Sequence, residues 1–211
     1  MPLFYQHNIN DFTKLAVWHI TENENFFKEK VTIQKEITHP HKRLQHLAGR
    51  YLLKILYPDF PLHLIEIAES KKPLLSNGQF HFSISHCGDY AGVIVSENKL
   101  VGIDVELVTP KIEILKEKFL TENELKFSKT ILNKPVAMNY KILTLFWSAK
   151  EAIYKWYGKG AISFKRNMGM DELFLENEKG FINAHFIKDE RIELKIEFRF
   201  FGKLCLAWVV E

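Results

Sequence analysis

The stretch FWSAKEAIYKWYGKG, residues 146–160, carries the clearest fold signal in the chain. Apolar side chains recur in it every three or four residues, which predicts an amphipathic helix over residues 145–157, closed by glycine. The predicted apolar stripe is Leu145, Phe146, Ala149, Ile153 and Trp156. Glu151 and Lys155 lie four residues apart, nearly opposite this stripe. They form either an ordinary helix-surface ion pair or part of an active site, and the stretch alone leaves both open.

Working outward, a second helix is predicted over residues 42–57, KRLQHLAGRYLLKILY. Its apolar face is Leu44, Leu47, Ala48, Tyr51, Leu52 and Ile55. Strands are predicted at residues 80–85, 90–96 and 100–107, because short apolar runs there are separated by turn-forming residues. Thr121 and Glu124 fit a capping box that opens a further helix, to about residue 132.

The C-terminal part alternates again, with strands predicted in DELFLE, GFINAHFI, IELKIEFRF and KLCLAWVV. A helical pattern followed by strand patterns therefore occurs twice. This predicts an α+β protein of two similar α/β lobes related by a pseudo-twofold, each a long helix packed on a mainly antiparallel sheet. We expect the lobes to join near residues 107–111, giving an N-terminal lobe at 1–107 and a C-terminal lobe at 108–211.

Composition narrows the class of protein. Of 211 residues, 46% are hydrophobic and 26% charged, as in globular proteins. The formal charge of +3 comes without a run of Lys and Arg, which argues against nucleic acid as a partner. No apolar run is long enough for a membrane span, and the N-terminus lacks a signal-peptide pattern. Cys87 and Cys205 cannot build a disulfide framework, so we expect a cytoplasmic protein.

The strand pattern VGIDVEL, residues 101–107, carries two carboxylates. Since strand side chains alternate, Asp104 and Glu106 share one face and the apolar residues share the other. Paired carboxylates of this kind suit a Mg²⁺ ion. They equally suit a solvated acidic face, and this stretch does not choose between the two.

Residues 80–90, FHFSISHCGDY, place Ser85 and His86 at a strand end before a turn. Binding groups collect at such positions, and contact with a phosphate suits this pair better than a nucleophilic dyad, because neighbours on a strand point in opposite directions. The alternative is a turn histidine without a role. The same geometry makes Cys87 a poor candidate for a thiol nucleophile activated by His86.

Taken together, these segments resemble the 4′-phosphopantetheinyl transferase superfamily, and specifically its two-lobed, surfactin-synthetase-activating type. The shared residues, in the family's order, are Arg43, Gly49-Arg50, Lys72-Pro73, Ser85-His86, Gly102-Ile103-Asp104-Val105-Glu106, and Trp147-Ser148-Ala149-Lys150-Glu151 followed by Lys155. Each motif is weak alone, and their order along the chain makes the signal specific. Cys87 departs from the family, where serine or threonine often follows Ser-His.

The resemblance implies a reaction in which coenzyme A donates its 4′-phosphopantetheine arm to a serine of an apo carrier protein, with release of 3′,5′-ADP. It also implies a Mg²⁺ held by Asp104, Glu106 and Glu151. Glu151 would take the serine proton, directly or through a water, and Lys155 would stabilise the leaving phosphate. Catalysis of this kind is mostly positioning and charge stabilisation.

The resemblance further implies a pocket for the nucleotide of coenzyme A built from Arg43, Arg50, Lys72, Ser85 and His86. The alternatives are that Arg50 forms a structural ion pair and that Lys72 is a solvated loop charge. The two arginines lie two helical turns apart, on nearly the same side of their helix. Residues 112–139 would form part of the carrier-docking surface. Its apolar candidates are Phe119, Leu120, Phe127 and Ile131. The alternative is that they belong to the core, which applies more to Ile131 than to Phe119. Two lobes in one chain could build the site alone, so we expect a monomer.

Two other functions use similar parts. A coenzyme A or carrier-binding module without catalysis would not need the third carboxylate, which this chain retains at Glu151. A metal-dependent nuclease would place a lysine two residues after its glutamate on a strand, whereas Glu106 is followed by Leu107 and Val108.

Overall fold

The computed structural model describes residues 3–33, 36–131 and 136–211, without the side chains of 129–131 and 136–138. The helices in these ranges are α1 (Glu24–Lys28), α2 (Pro40–Leu56), α3 (Ile112–Phe119), α4 (Glu122–Ile131), α5 (Val136–Tyr157) and α6 (Phe164–Asn167). The strands are β1 (Leu3–Asn10), β2 (Thr13–His19), β3 (Ile65–Ile67), β4 (Pro73–Leu75), β5 (His81–Cys87), β6 (Tyr90–Ser96), β7 (Val101–Leu107), β8 (Met168–Glu176), β9 (Lys179–Ile187), β10 (Arg191–Phe201) and β11 (Leu204–Val210).

The strands form two antiparallel sheets. The first sheet has the order β1-β2-β6-β5, and the second has the order β7-β11-β10-β9-β8. A small hairpin of β3 and β4 stands apart from both. In each sheet the strand that precedes the long helix pairs with the last strand of its lobe: β2 with β6, and β7 with β11.

These elements stack in four layers. α2 packs its apolar face on the first sheet, and α5 packs on the second. The sheets meet face to face through a third apolar cluster, to which each contributes alternate side chains. Its fully or nearly fully buried members are Leu15, Val17, Ile94, Val101, Ile103, Val105, Leu204, Leu206 and Trp208.

The architecture confirms the predicted α+β class, with a long helix on a mainly antiparallel sheet in each half. The boundary expected after Leu107 stays a prediction, and the pairing of β7 bears on where the two sheets divide. β7 pairs along its whole length with β11, so it belongs to the second sheet, and the chain crosses between the sheets before Val101. Backbone pairing with a strand a hundred residues away decides this, which local pattern could not show.

The helix patterns at 42–57 and 145–157 are confirmed. The five predicted stripe residues of α5 are all buried, and Gly158 ends the helix with φ +69°. The capping box is present too, with mutual hydrogen bonds between Thr121 and Glu124. The end of that helix at Leu132 lies outside the described residues. The pattern analysis missed the β1–β2 hairpin and α3, and it started α5 nine residues late.

Both cysteines are free thiols, as expected. Among the described helices, none combines the length and the apolar character that a membrane crossing requires.

Candidate active site

The candidate site lies where β5 of the first sheet approaches β7 of the second, beneath α5; we call this region the seam. No strand ladder joins β5 to β7. Instead, Ser83 Oγ accepts a hydrogen bond from Ile103 N at 3.3 Å, and Ser85 Oγ accepts one from Val105 N at 3.2 Å. Side chains of β5 therefore hold the two sheets together at this edge.

Gly102 allows α5 to lie directly on β7. A Cβ atom at this position would come within 2.0 Å of the Ala152 carbonyl oxygen in α5, so only glycine fits. The close approach brings the next turns of the helix over the strand. Glu151 and Lys155 are thereby placed above Asp104 rather than in solvent.

Asp104 is the centre of the seam. It is only 4% exposed, which overturns the alternative of a solvated acidic face. Its Oδ1 accepts hydrogen bonds from Ser85 Oγ at 2.9 Å and from Lys155 Nζ at 2.7 Å. Its Oδ2 is buried and has no hydrogen-bond partner among the described residues. An unpaired buried carboxylate oxygen is costly, so it marks a position for a cation or a donor.

The sequence left open whether Lys155 pairs with Glu151 on the surface of α5. The helix-surface ion pair with Glu151 does not form. Lys155 Nζ reaches across to the other elements of the seam and contacts Asp104 and, at 2.8 Å, Ser85 Oγ. These two partners come from different sheets, so Lys155 links α5 to both.

Glu151 is half-buried and makes no hydrogen bond or ion pair within the described part of the chain. Its pKa is raised to about 7, first by burial and then by the charge of Asp104, with Glu106 adding to the rise and Lys155 opposing it. Three carboxylates therefore lie near enough to repel one another, and a cation among them would relieve that repulsion.

Glu106 is half-buried and is held by β5. Its Oε1 accepts hydrogen bonds from Cys87 Sγ at 2.9 Å and from Leu107 N at 3.2 Å. The pKa of the Cys87 thiol is raised to about 12, first by burial and then by its hydrogen bond to Glu106. Cys87 is thus a protonated donor to a carboxylate, which argues against a thiolate nucleophile.

The seam supplies suitable ligands for Mg²⁺ without a preformed cage. Within the described ranges, no group of three or more His, Cys, Asp or Glu side chains is arranged to hold a metal ion. However, the unpaired Asp104 Oδ2 and the raised pKa of Glu151 both favour a bound cation. Mg²⁺ prefers carboxylate oxygens and commonly keeps several waters, so it needs only one or two direct protein ligands. The residues fit this ion, and the shared three-carboxylate site remains a prediction.

A cleft of about 350 Å³ opens beside the seam; we call it the reaction cleft. Glu151, Tyr154 and Lys155 of α5 line it, and so does Lys72, from the segment that precedes β4. Burial lowers the pKa of Lys72 to about 8. Its Nζ donates to the Trp156 carbonyl at 3.4 Å, so this cation is anchored at the C-terminal end of α5, where helix carbonyls favour positive charge.

A second cleft of about 560 Å³, the basic cleft, runs along α2. Its polar walls include His46, Arg50, Lys54, Lys71 and Asp59. Arg50 forms no ion pair with a described residue, and burial lowers its pKa, so it is a half-buried cation suited to an anionic ligand. Lys71 lines this cleft and the reaction cleft, which makes them neighbours.

Arg43, which the sequence also assigns to the nucleotide pocket, does not line the basic cleft and makes contacts within the protein, so its role stays a prediction. Its guanidinium makes a bidentate pair with Glu24, with both distances 2.8 Å, and Nη1 also donates to the carbonyls of Ile37 and Thr38. The two arginines lie on the same helix, but α1 and the loop before α2 cover the first of them. The pair with Glu24 links α2 to α1.

Ser85 and His86 separate, as neighbours on a strand must. Ser85 is buried in the seam and contacts Asp104 and Lys155 instead of lining a cleft, so its expected role in the nucleotide pocket is not supported. His86 is exposed on the opposite face, and its ring lies 5.4 Å from that of His46 beside the basic cleft. Its pKa is lowered, first by partial desolvation and then by Lys155.

The apolar candidates for the carrier-docking surface, where their side chains are described, lie in the core or pack against it. Phe119 and Leu120 are 1% and 0% exposed and belong to the core under α5, so they form no surface. Phe127 also packs against this core and stacks on Phe146. The side chain of Ile131 lies outside the described residues.

Sequence reasoning missed several residues that line the clefts, among them His46, Lys54, Lys71 and Tyr154. A signal was present for two of them, because positions 46 and 54 flank Arg50 at four-residue spacing, which places all three on one side of a helix.

The role of Lys150, within the same helix motif as Glu151, was also not predicted. It is fully buried and pairs with Glu124 at 2.7 Å, and it donates to the carbonyls of Phe119, Phe164 and Met168. Glu124 is the capping-box residue of α4, and it also accepts from Met170 N. This cluster fastens α5 to the surrounding helices and to β8.

Comparison with known proteins gives one informative match. The sequence model described as the 4′-phosphopantetheinyl transferase superfamily matches residues 100–208, slightly over half of the chain. The matched region contains α5, the strands β7 to β10 and most of β11, and thus Asp104, Glu106, Glu151 and Lys155. A search of curated proteins found no match.

Proposed function

The chain belongs to the 4′-phosphopantetheinyl transferase superfamily, and we propose that it moves the 4′-phosphopantetheine arm of coenzyme A onto a serine of an apo carrier protein. The observation that carries the proposal is the buried, unpaired oxygen of Asp104. Lys155, which pairs with Asp104, and Glu151, whose pKa Asp104 raises, both line the reaction cleft, and the other charged residues of that cleft are lysines. Such a site suits a diphosphate accompanied by a cation.

In the proposed reaction the serine hydroxyl oxygen attacks the β-phosphorus of coenzyme A. The bond from that phosphorus to the bridging oxygen breaks, and 3′,5′-ADP leaves with the electron pair. Glu151 accepts the serine proton, directly or through a water. In the metal-free protein its pKa is raised to about 7, first by burial and then by Asp104. A cation bound to this carboxylate would lower that pKa and make it a weaker base, which favours the route through a water.

Cations of this chain stabilise the phosphates. Lys155 and Lys72 both line the reaction cleft and offset the charge that builds on the diphosphate and the leaving phosphate. Arg50, Lys54 and Lys71 in the basic cleft bind the nucleotide phosphates, with exposed His86 nearby. Arg43 takes no part, since Glu24 already occupies it.

Asp104, Glu106 and Glu151 would hold Mg²⁺, which when bound would neutralise negative charge on the diphosphate oxygens. We also infer the two-lobed type of the family and a monomeric enzyme. Supporting this, one chain supplies both sides of the seam: Ser85 comes from the first sheet and Asp104 from the second.

The test is incubation with coenzyme A, Mg²⁺ and a panel of apo carrier proteins from fatty acid, polyketide and nonribosomal peptide synthesis, followed by intact mass. We expect at least one carrier to gain one phosphopantetheine arm. Asp104→Asn should slow transfer about 10³-fold, because a charge that stabilises the transition state is lost. The matched control is Asp171→Asn, which changes a carboxylate paired with His185 far from the clefts and should leave the rate unaltered.

Two outcomes would overturn the proposal. Coenzyme A binding without modification of any carrier on the panel would favour a binding module. Mg²⁺-dependent cleavage of DNA, abolished by Asp104→Asn, would favour a nuclease.

A further inference from the structure

Three small polar side chains lie on the face of β5 that meets β7. They are Ser83, Ser85 and Cys87, which share this face because strand side chains alternate. Ser83 Oγ accepts a hydrogen bond from Ile103 N. Two residues further along both strands, Ser85 Oγ accepts one from Val105 N. The equal steps keep β5 and β7 in one register, so each of these side chains meets a fixed position of β7.

The Ser85 hydroxyl has each of its hydrogen-bonding positions filled. A hydroxyl offers one proton and two lone pairs. Lys155 Nζ, at 2.8 Å, and Val105 N, at 3.2 Å, can only donate, so they take the two lone pairs. The proton is therefore directed to Asp104 Oδ1, 2.9 Å away. Contacts from β5, β7 and α5 together fix the direction of this proton.

Cys87 supplies the corresponding donor to Glu106. Its Sγ lies 2.9 Å from Glu106 Oε1, and a carboxylate oxygen accepts, so the thiol donates. Leu107 N donates to the same oxygen at 3.2 Å. Two side chains that are two residues apart on β5 thus hold two carboxylates that are two residues apart on β7.

The two carboxylates share one asymmetry. Asp104 receives both of its hydrogen bonds at Oδ1, and Glu106 receives both of its own at Oε1. Within the described residues, the buried Oδ2 of Asp104 has no partner, and no hydrogen bond reaches Oε2 of Glu106. The terminal torsion of a carboxylate side chain is soft, so the held oxygen decides where the other oxygen lies.

We propose that Ser85 and Cys87 are positioning residues that orient the carboxylates of Asp104 and Glu106 toward a bound cation. This rests on the proposed function for the identity of the cation, Mg²⁺. Each residue donates its proton to one oxygen and thereby leaves the other oxygen, fixed in direction, for the cation. Groups that hydrogen-bond to metal ligands set the orientation of those ligands, and their loss typically weakens metal binding about 10- to 100-fold.

Ser85→Ala tests the proposal, with the affinity for Mn²⁺ alone as the readout, measured by electron paramagnetic resonance of the free ion. We expect binding to weaken at least about tenfold, because the Asp104 carboxylate is then free to turn. The matched control is Ser83→Ala. Ser83 is buried like Ser85 and makes the same kind of bond to β7, but within the described chain it bonds no carboxylate. This variant should bind Mn²⁺ as the parent does.

Cys87→Ala and Cys87→Ser test the second donor. Cys87 is only half-buried, so these variants provide the test if thermal melting shows that Ser85→Ala does not fold. Cys87→Ala should weaken Mn²⁺ binding, by less than Ser85→Ala does, because Leu107 N still holds the same oxygen. Cys87→Ser keeps a donor and should bind Mn²⁺ as the parent does. Since both variants lose the sulfur, rescue by serine separates the hydrogen bond from packing.

Three results would overturn the proposal. They are equal Mn²⁺ affinities of Ser85→Ala and Ser83→Ala, equal affinities of Cys87→Ala and the parent, and a parent that binds no Mn²⁺.

The experiment separates this inference from the proposed function. If Mn²⁺ binding depends on Ser85 and Cys87 as expected and no carrier is modified, the positioning role stands and the transferase proposal fails. If carriers are modified while Ser85→Ala and Cys87→Ala bind Mn²⁺ as the parent does, the transferase proposal stands and the positioning role fails.

Discussion

Lys150 and Lys155, five residues apart on α5, belong to two charge clusters. The clusters differ in whether every charged group has a partner. Around Lys150, each charged group is satisfied, because the lysine has Glu124 and three carbonyls while Glu124 also caps α4 and binds Met170 N. Around Lys155, some charged groups have no hydrogen-bond or ion-pair partner among the described residues. Asp104 keeps one oxygen without a partner, and Glu151 has no ion pair.

The difference separates structural charges from functional ones. A buried ion pair with complete hydrogen bonding fixes the packing of the elements that carry it. A cluster with unmatched groups costs stability in the free protein and gains partners when a ligand or cation arrives. Burial alone does not make the distinction, since both Lys150 and Asp104 are nearly inaccessible to solvent.

The largest expected effect compares Lys150→Met with Lys155→Met. Removing Lys150 leaves Glu124 buried and unpaired, which should lower the free energy of unfolding by about 3–5 kcal/mol. Removing Lys155 should cost less, about 1–2 kcal/mol, because Lys155 is partly exposed and Ser85 still donates to Asp104.

Urea unfolding with and without Mg²⁺ provides the measurement. Mg²⁺ should restore part of the loss in Lys155→Met, since it can replace the missing cation beside Asp104, and should do nothing for Lys150→Met. Equal rescue of both variants, or rescue of neither, would remove the distinction between the clusters.

The next effect concerns Glu151 and pH. Its pKa of about 7 in the folded protein lies above the ordinary value of 4.5, so the folded state holds this proton more tightly than the unfolded state does. Ionisation therefore destabilises the metal-free protein as pH rises from about 4.5 to about 7, by at most about 3 kcal/mol.

Glu151→Gln removes this dependence. Its melting temperature relative to the parent should rise between pH 5 and pH 8 without metal, and Mg²⁺ at pH 8 should stabilise the parent more than the variant. A constant difference across this pH range would show that Glu151 is not electrostatically strained.

The smallest expected effect concerns the two arginines of α2, one paired and one unpaired, compared through Arg43→Gln and Arg50→Gln. Arg43 is satisfied by Glu24, so its loss should lower stability and leave coenzyme A affinity nearly unchanged. Arg50 has no ion-pair partner, so its loss should weaken coenzyme A binding about tenfold, the scale of one charged contact to a phosphate. Calorimetry and thermal melting of both variants test this, and reversed results would assign the arginines the opposite roles.

Much of the fold could be predicted from local pattern. The α5 stripe, the capping box at Thr121 and the four C-terminal strands follow from periodicities that a short window reveals. The β1–β2 hairpin was not predicted from the sequence. In β1 every second residue is exposed and several side chains are polar, such as His7 and Asn8, so the apolar pattern is weak. α3 was missed because it is only eight residues long, shorter than the window over which a helical pattern is recognised.

The site was predictable in its residues and less so in their roles. Asp104, Glu151, Lys155 and Lys72 do converge on one region, as the motif order implied. Ser85 and Arg43 were assigned to a ligand because serine and arginine are common phosphate ligands. In the folded chain both are already occupied by protein groups.

The sequence by itself determined the α+β class, the periodic faces of the helices and strands, and the ordered motifs that connect this chain to its family, because each depends on residues close together along the chain. The tertiary structure alone decided which charges are satisfied. Lys155 pairs with Asp104, which lies 51 positions earlier in the chain. Arg43 pairs with Glu24, whereas Arg50 forms no ion pair with a described residue. Whether a charged group has a partner depends on how two sheets and two helices pack, and no local pattern carries that information.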